Sequence, residues 1–398
     1  MNKTQRDNAP AIPVTLLMQM VVCALAVVSL LYIPVPILPI LSAFYQLPAD
    51  QAGLPLSAFG LMYATGFLFF GPLSDRLGRK VVLVGGLSLL TVITVGLIFV
   101  HTPKLFIAGR ALQGFAAASF PPVALAYLSE RGTPSQRVWG VAWMSTAFLS
   151  AGLLGQIYGS TVATHWNFAL ALIPLAMFYS LTALRLLGAP GGTSGRAPTK
   201  SFWAGYKPIP MLLGNAELRR VYVPASVLLM AFVAFYISMD THLADAMAEA
   251  GIGRVQARSV AVPAFLAPLL AAKMVGRWGA QRVASTGLFI AAMSLFLCAA
   301  VGKAHVYLFL TASVIFAAGV AISIPGLIAC VSAVAKPEVR GLAVSLYTFL
   351  LFVGASLGPW FGSYAETWGL EISLAVLAAV LGAAAIYSVA HVRNGGAR

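Results

Sequence analysis

Arg110, Gln113 and Gly114 stand inside a long apolar stretch, and with positions 117 and 121 their spacing of three and four puts them on one helical face. An arginine roughly two turns inside hydrocarbon has two readings. It snorkels to the interface, or it lines a cavity where it binds an anion or senses a protonatable group. The acids are fewer still. Eleven Asp and Glu are present, with none between positions 8 and 49 or between 76 and 129. Asp240, beside Ser238, Thr241 and His242, is the acid that approaches an apolar interior. A carboxylate withdrawn from water holds its proton more tightly and can trade it near neutrality, whereas at a solvated helix end it would simply face water. His242 either shares that proton or faces water as well. Tyr32, Tyr63, Trp143, Phe232, Phe235, Tyr236 and Tyr347 have types and positions suited to a cavity for amphipathic or aromatic molecules. Each also suits a core or a lipid-facing surface. No phosphate-cradling G-x-x-x-x-G-K-[ST], no G-x-S-x-G elbow and no His/Cys set with metal spacing occurs, so no enzyme activity, cofactor or metal is expected.

These residues sit in a chain of 398 that is 60% hydrophobic and 9% charged, with a mean hydropathy of +0.89. A soluble domain carries about 25% charged residues, so the composition is that of an all-α membrane protein. The formal charge of +14 would otherwise suggest nucleic acid, but the basic residues fall between apolar runs, where the bias of Lys and Arg toward the cytoplasm accounts for them. Cys23, Cys298 and Cys330 all lie within apolar runs and imply no disulfide framework. Lys3 and Arg6 precede an apolar run from Val14 to about Leu41, too long for a signal core of about 7–15 residues, so a retained first span is expected.

With about 20 apolar residues per crossing, twelve spans are predicted: 14–44, 52–74, 81–101, 104–129, 136–160, 166–187, 220–243, 255–276, 281–301, 305–334, 339–363 and 369–391. Residues 188–219, rich in Gly and Pro, read as a cytoplasmic linker between an N-terminal bundle (1–187) and a C-terminal bundle (220–398). With the N-terminus inside, 20 of the 25 Lys and Arg fall on the cytoplasmic side; Lys104, Arg254, Arg258 and Lys303 are assigned to the outside. Both termini are then cytoplasmic. The halves repeat: Pro122, Arg137, Gly155 and Gly159 recur as Pro325, Arg340, Gly358 and Gly362, each displaced by 203 residues. Arg277-Trp278-Gly279 echoes Arg76-Leu77-Gly78 at a displacement of 201.

Between the second and third spans runs Gly71-Pro72-Leu73-Ser74-Asp75-Arg76-Leu77-Gly78-Arg79-Lys80, too charged for hydrocarbon and therefore an interfacial link. Its basic residues suit nearby carboxylates or lipid phosphates, or serve orientation alone, the reading favoured for Lys80. Gly152, Gly155 and Gly159 on the fifth span, with Gly354, Gly358 and Gly362 on the eleventh, are spaced for close helix packing. Pro34, Pro36 and Pro39 interrupt the first span.

The charged link resembles the loop between the second and third helices of the major facilitator superfamily, G-x-L-x-D-R-x-G-R-K. Arg110–Gly114 resembles that family's R-x-x-Q-G pattern. Gly354, Gly358, Pro359 and Gly362 resemble the G-x-x-x-G-P-x-x-G signature of its drug-efflux antiporters, while Gln156 stands where the first-half copy would have proline. The resemblance, which extends to bacterial arabinose-efflux-like members, implies two pseudo-symmetric six-helix bundles working by alternating access. It implies a gate at Gly71, Asp75, Arg76, Gly78 and Arg79, with Arg137 and Arg340 at the repeat positions, Asp75 facing the start of the eleventh helix. A cavity or coupling site would be formed by Arg110, Gln113, Gly114, Tyr32, Tyr63, Trp143, Tyr236, Asp240 and Tyr347. The implied activity is proton-coupled efflux of small organic or amphipathic compounds, drug-like or sugar-like, by a monomer in contact with lipid in a bacterial inner membrane. The alternative is an uptake carrier or uniporter for an organic anion.

Overall fold

The computed structural model describes residues 12–48, 51–130, 133–165, 168–189, 206–336 and 339–389. They form α-helices and short 3-10 turns, with no strand among the described residues. In chain order the helices are α1 (Val14–Tyr32), α2 (Leu38–Phe44), α3 (Leu54–Leu77), α4 (Arg79–Ile98), α5 (Pro103–Ala117), α6 (Pro121–Glu130), α7 (Pro134–His165) and α8 (Phe168–Gly188). There follow α9 (Ile209–Gly214), α10 (Ala216–His242), α11 (Ala244–Glu249), α12 (Arg254–Ser259), α13 (Ala267–Trp278), α14 (Ala280–Val301), α15 (Val306–Val334), α16 (Arg340–Trp368) and α17 (Leu370–Val389). Ten segments among the described residues are long and apolar enough to cross a membrane. Of the other two expected spans, the fifth is the 32-residue α7. The eighth is not one helix: α12 and α13 are separated by a 3-10 turn over Val262–Leu266 that contains Pro263.

Proline also sets the remaining breaks. α1 stops at Tyr32, a 3-10 turn covers Val35–Ile37, and α2 resumes at Leu38. Pro121 and Pro122 separate α5 from α6, whereas the single Pro325 is absorbed within α15.

Two compact units result. One comprises Met1–Pro34, Phe44–Gln46 and Ala58–Lys207; the other comprises Val35–Ala43, Leu47–Ser57 and Pro208–Arg398. In the first, α1 packs on α7 and α4 on α8. In the second, α10 packs on α16, and α14 on both α15 and α17. Small residues permit the closest approaches. A Cβ at Gly155 would meet Ser29 at 3.0 Å, one at Gly358 would meet the Val233 Cβ at 2.6 Å, and one at Gly362 would meet the Ile237 Cγ2 at 2.8 Å. At Gly354 it would collide with the Ser226 carbonyl. Gly152 and Gly159 are buried in α7, and the Gly152 carbonyl accepts from Gln156 Nε2 at 2.8 Å.

The charged link is shorter than the sequence suggests. α3 continues through Asp75 and Arg76 to Leu77, and the chain turns at Gly78 alone, with φ 93° and ψ 144°. The charged last turn stays helical, and the corner falls where a residue can adopt positive φ without strain. Gly279 repeats this corner before α14, with φ 85° and ψ 152°. Apart from the adjoining residues, no atom among the described residues lies within 4 Å of a Cβ built at either position, so backbone conformation, not space, calls for glycine there.

The residue two beyond each corner has a role that sequence reading did not give it. Lys80 Nζ donates to the carbonyls of Leu187 (2.8 Å) and Ala189 (2.6 Å), capping the end of α8. Gln281 Nε2 donates to the Ser388 carbonyl (2.6 Å) at the end of α17. Donor and acceptor are both displaced by 201, so the repeat preserves the cap while changing its chemistry. Helix C-terminal carbonyls lack intrahelical partners and need such donors. Because glutamine does the same task in the second half, Lys80→Gln is expected to unfold thermally in detergent close to the wild type. Lys80→Leu, which leaves those carbonyls unpaired, is expected to lose about 1–3 kcal/mol; equal melting of the two variants would refute the cap.

Candidate functional site

In the first unit the site is built on α5, which carries Arg110, Gln113 and Gly114 on its buried face. Arg110 is fully buried. Its Nη1 donates to Gln113 Oε1 (2.5 Å), and its Nη2 donates to the Leu30 carbonyl (2.9 Å). Gln113 Nε2 in turn donates to Thr94 Oγ1 on α4 (2.9 Å). The Arg110 Cζ lies 4.3 Å from the centre of the Phe59 ring on α3, within cation–π range. Gly114 explains how that ring gets there, because a Cβ at 114 would strike the Phe59 backbone. The Leu30 acceptor has a local cause too. In an unbroken helix its carbonyl would receive the N–H of residue 34, but Pro34 has none, so the proline that ends α1 leaves an acceptor for Arg110. Arg110 Nε has no hydrogen-bond partner among the described residues.

Around this group Tyr32 and Tyr63 are buried, as is Tyr179, which sequence reading did not select. Tyr63 stacks at a tilt on Phe59, ring centres 5.6 Å apart, and edge-on against Phe67 at 4.8 Å. The Tyr179 hydroxyl donates to the Ala26 carbonyl (3.0 Å) and lies within electrostatic reach of Arg110 and Tyr63. Trp143, expected in the cavity, is 45% exposed.

In the second unit Asp240, near the end of α10, is buried and forms an ion pair with Arg258 of α12. Arg258, assigned from sequence to an outside segment, is fully buried. The signal that could have found it was present: an acid and a base close the two ends of the short hairpin between the seventh and eighth spans. Tyr236 precedes Asp240 by one helical turn, is buried, and its hydroxyl has no hydrogen-bond partner among the described residues. Its ring packs on Phe232 and Phe235 at 5.1 Å and 5.2 Å. The buried Tyr347 hydroxyl likewise has no such partner.

At the corner between α3 and α4, Asp75 is exposed and pairs with Arg79, one residue past Gly78. Arg79 Nη1 also reaches Ser74 Oγ (2.5 Å), whose own hydroxyl donates to the Gly71 carbonyl (2.8 Å). Arg79 thus clamps the turn from both sides. Arg76 is half-buried and Arg340 is exposed at the start of α16. The side chain of Arg137 lies outside the described residues, as do residues 190–205 of the expected linker.

A model of the Major Facilitator Superfamily matches residues 20–257 and 240–394, nearly the whole of this chain. The chain belongs to that superfamily. The family and the relatives named below are transporters, not enzymes. It is 32% identical over 160 residues to the inner membrane transport protein YnfM of Escherichia coli, 40% of this chain and 38% of that one. An uncharacterized transporter of Buchnera aphidicola is 36% identical over 154 residues, again 38% of its length, so these alignments span about two fifths of either relative. The bacillibactin exporter of Bacillus subtilis is 24% identical over 340 residues, 82% of this chain and 83% of that protein. Among solved structures, a D-xylose–proton symporter superposes with a TM-score of 0.75 at 13% identity, covering 94% of this chain and 97% of that one. The human organic anion transporter MFSD10 gives 0.70 at 16% identity, covering 98% and 100%. Both likenesses concern the fold.

The buried pair has a measurable signature. Removing one partner of a buried pair strands the other charge and costs about 3–5 kcal/mol, whereas replacing both with neutral groups costs far less. Arg258→Met is expected to melt well below the wild type, and Asp240→Asn/Arg258→Met above Arg258→Met. Additive losses would show that the two side chains do not depend on each other.

Proposed function

We propose that this transporter exports small organic molecules by alternating access, driven by protons, from a bacterial inner membrane with both termini in the cytoplasm. The observation that carries the coupling is Asp240, which is the single buried Asp or Glu among the described residues. Protonation cancels its charge and with it the attraction of Arg258, so the ion pair that ties α12 to α10 depends on a proton. A step that trades pair for proton lets the gradient bias one conformation over another. Export as the direction is supported by the exporter named among the relatives and by two multidrug resistance proteins MdtM of E. coli, at 27% identity over 216 residues and 26% over 162. Duplicated six-span halves suit alternating access.

The test uses liposomes with an imposed pH gradient and a compound selected by thermal-shift screening of the purified protein. The neutral pair Asp240→Asn/Arg258→Gln keeps polar side chains of similar size at both positions and removes the proton site. Wild type is expected to drive the compound uphill; the double variant is expected only to equilibrate it. Uphill transport by the double variant would take the coupling role from Asp240.

Gly71, Asp75, Arg76, Gly78 and Arg79, with Arg137 and Arg340, are proposed as the cytoplasmic gate. Asp75 is exposed, so Asp75→Asn is expected to leave insertion and melting near wild type while slowing transport about tenfold or more, a change of about 1.4 kcal/mol in a barrier. Unaltered turnover in that variant would remove Asp75 from the gate.

A further inference from the structure

Pro72 lies inside α3, three residues before Asp75. A proline within a helix withholds the N–H that the carbonyl four residues earlier would accept, and here that carbonyl belongs to Leu68. The Tyr206 hydroxyl donates to it at 2.9 Å, from 138 residues further along the chain. Tyr206 is half-buried, and α9 begins three residues after it. The last stretch of the first compact unit ends at Lys207, and the second unit takes up the chain at Pro208. The bond on α3 is therefore made by one of the last two residues of the first unit. Beyond it the chain is fastened to the second unit. The Leu212 N–H donates to the Pro208 carbonyl (3.0 Å), the Leu212 side chain is buried, and α9 packs on α10 and α16. Asn215 Oδ1 then caps α10 by accepting from the N–H groups of Glu217 (2.9 Å) and Leu218 (3.0 Å). Residues 206–215 thus lead from a bond on α3 to a cap on α10. The acceptor is peculiar to the first half. The position 201 residues beyond Pro72 is Lys273 inside α13, so that helix keeps its donor.

We propose that Tyr206 is a clasp, a positioning residue whose hydroxyl stands in for the donor that Pro72 lacks. Through it the linker holds the last turns of α3, and with them the proposed gate, to the segment that enters the second unit. A displacement of α9 is then passed to α3 at its proline, where the helix is short of a bond and bends most easily. The expected linker of 188–219 is accordingly not one free tether, because its last part is tied to α3 at Tyr206. The proposal rests on the gate reading for its purpose alone. The bond itself is tested without substrate or proton gradient, so clasp and gate can fail separately.

Hydrogen exchange read by mass spectrometry on purified full-length protein in detergent tests it. Tyr206→Phe keeps the ring and removes only the hydroxyl. Exchange is expected to rise about fivefold both at Leu73–Leu77 on α3 and at Leu212–Asn215 on α9, two stretches in different units that this residue links. Pro72→Ala gives the Leu68 carbonyl its helical donor back. In that background Tyr206→Phe is expected to leave Leu73–Leu77 unchanged while Leu212–Asn215 still loosens. Unaltered exchange in Tyr206→Phe, or a rise confined to either stretch, would overturn the clasp. An equal rise on α3 in both backgrounds would also overturn it, because the hydroxyl would then not be replacing the bond that Pro72 withholds.

Discussion

Hydrocarbon offers no hydrogen bonds, so every backbone carbonyl that a helix releases must be met from inside the protein. That constraint joins the first span to the site. Pro34 deprives the Leu30 carbonyl of its helical donor, and the group that meets it is the Arg110 guanidinium on α5. The same arginine is then fixed in plane by Phe59 and in direction by Gln113, itself anchored on Thr94. A helix break, a glycine that lets α3 come close, and a two-link polar relay thus hold one charge in one orientation. Deleting any of them releases a polar group into surroundings that cannot solvate it.

The second unit solves the opposite problem. Asp240 and Arg258 neutralise each other in an ion pair withdrawn from water. Arg258 can reach the acid because the eighth span is broken: α12 is a short segment set apart from α13 by a 3-10 turn, not a rigid continuation of it. Tyr236, one turn before Asp240, brings a hydroxyl into electrostatic reach of both partners.

Much of this was legible beforehand because it follows from pattern. Apolar runs, the basic bias between them and the 203-residue displacement gave the helical membrane class and the repeat, and the Arg110–Gln113–Gly114 face followed from helical spacing alone. The single-residue corner at Gly78 was not legible, since nothing in the charge of Asp75 and Arg76 says whether a helix stops before or after them. Nor was the pairing of Arg258, because a base at a span's end reads as solvated unless the neighbouring span is known to present an acid at the same depth. The cap made by Lys80 was not legible for a related reason: its partners are backbone carbonyls more than 100 residues away, which no side-chain pattern announces.

What the repeat keeps and what it drops separates scaffold from chemistry. The positive-φ corners, the caps on α8 and α17 and the glycines under Ser29 and Val233 recur at matching displacements. The charges do not. The position 203 residues beyond Arg110 is Ser313, whose hydroxyl is satisfied within its own helix by the Leu310 carbonyl. Counting back 203 from Asp240 and from Arg258 gives Ile37 and Pro55. Buried ions are costly, and the matching place in the other half does without them. The two halves thus share caps and corners while each holds its own buried charge chemistry.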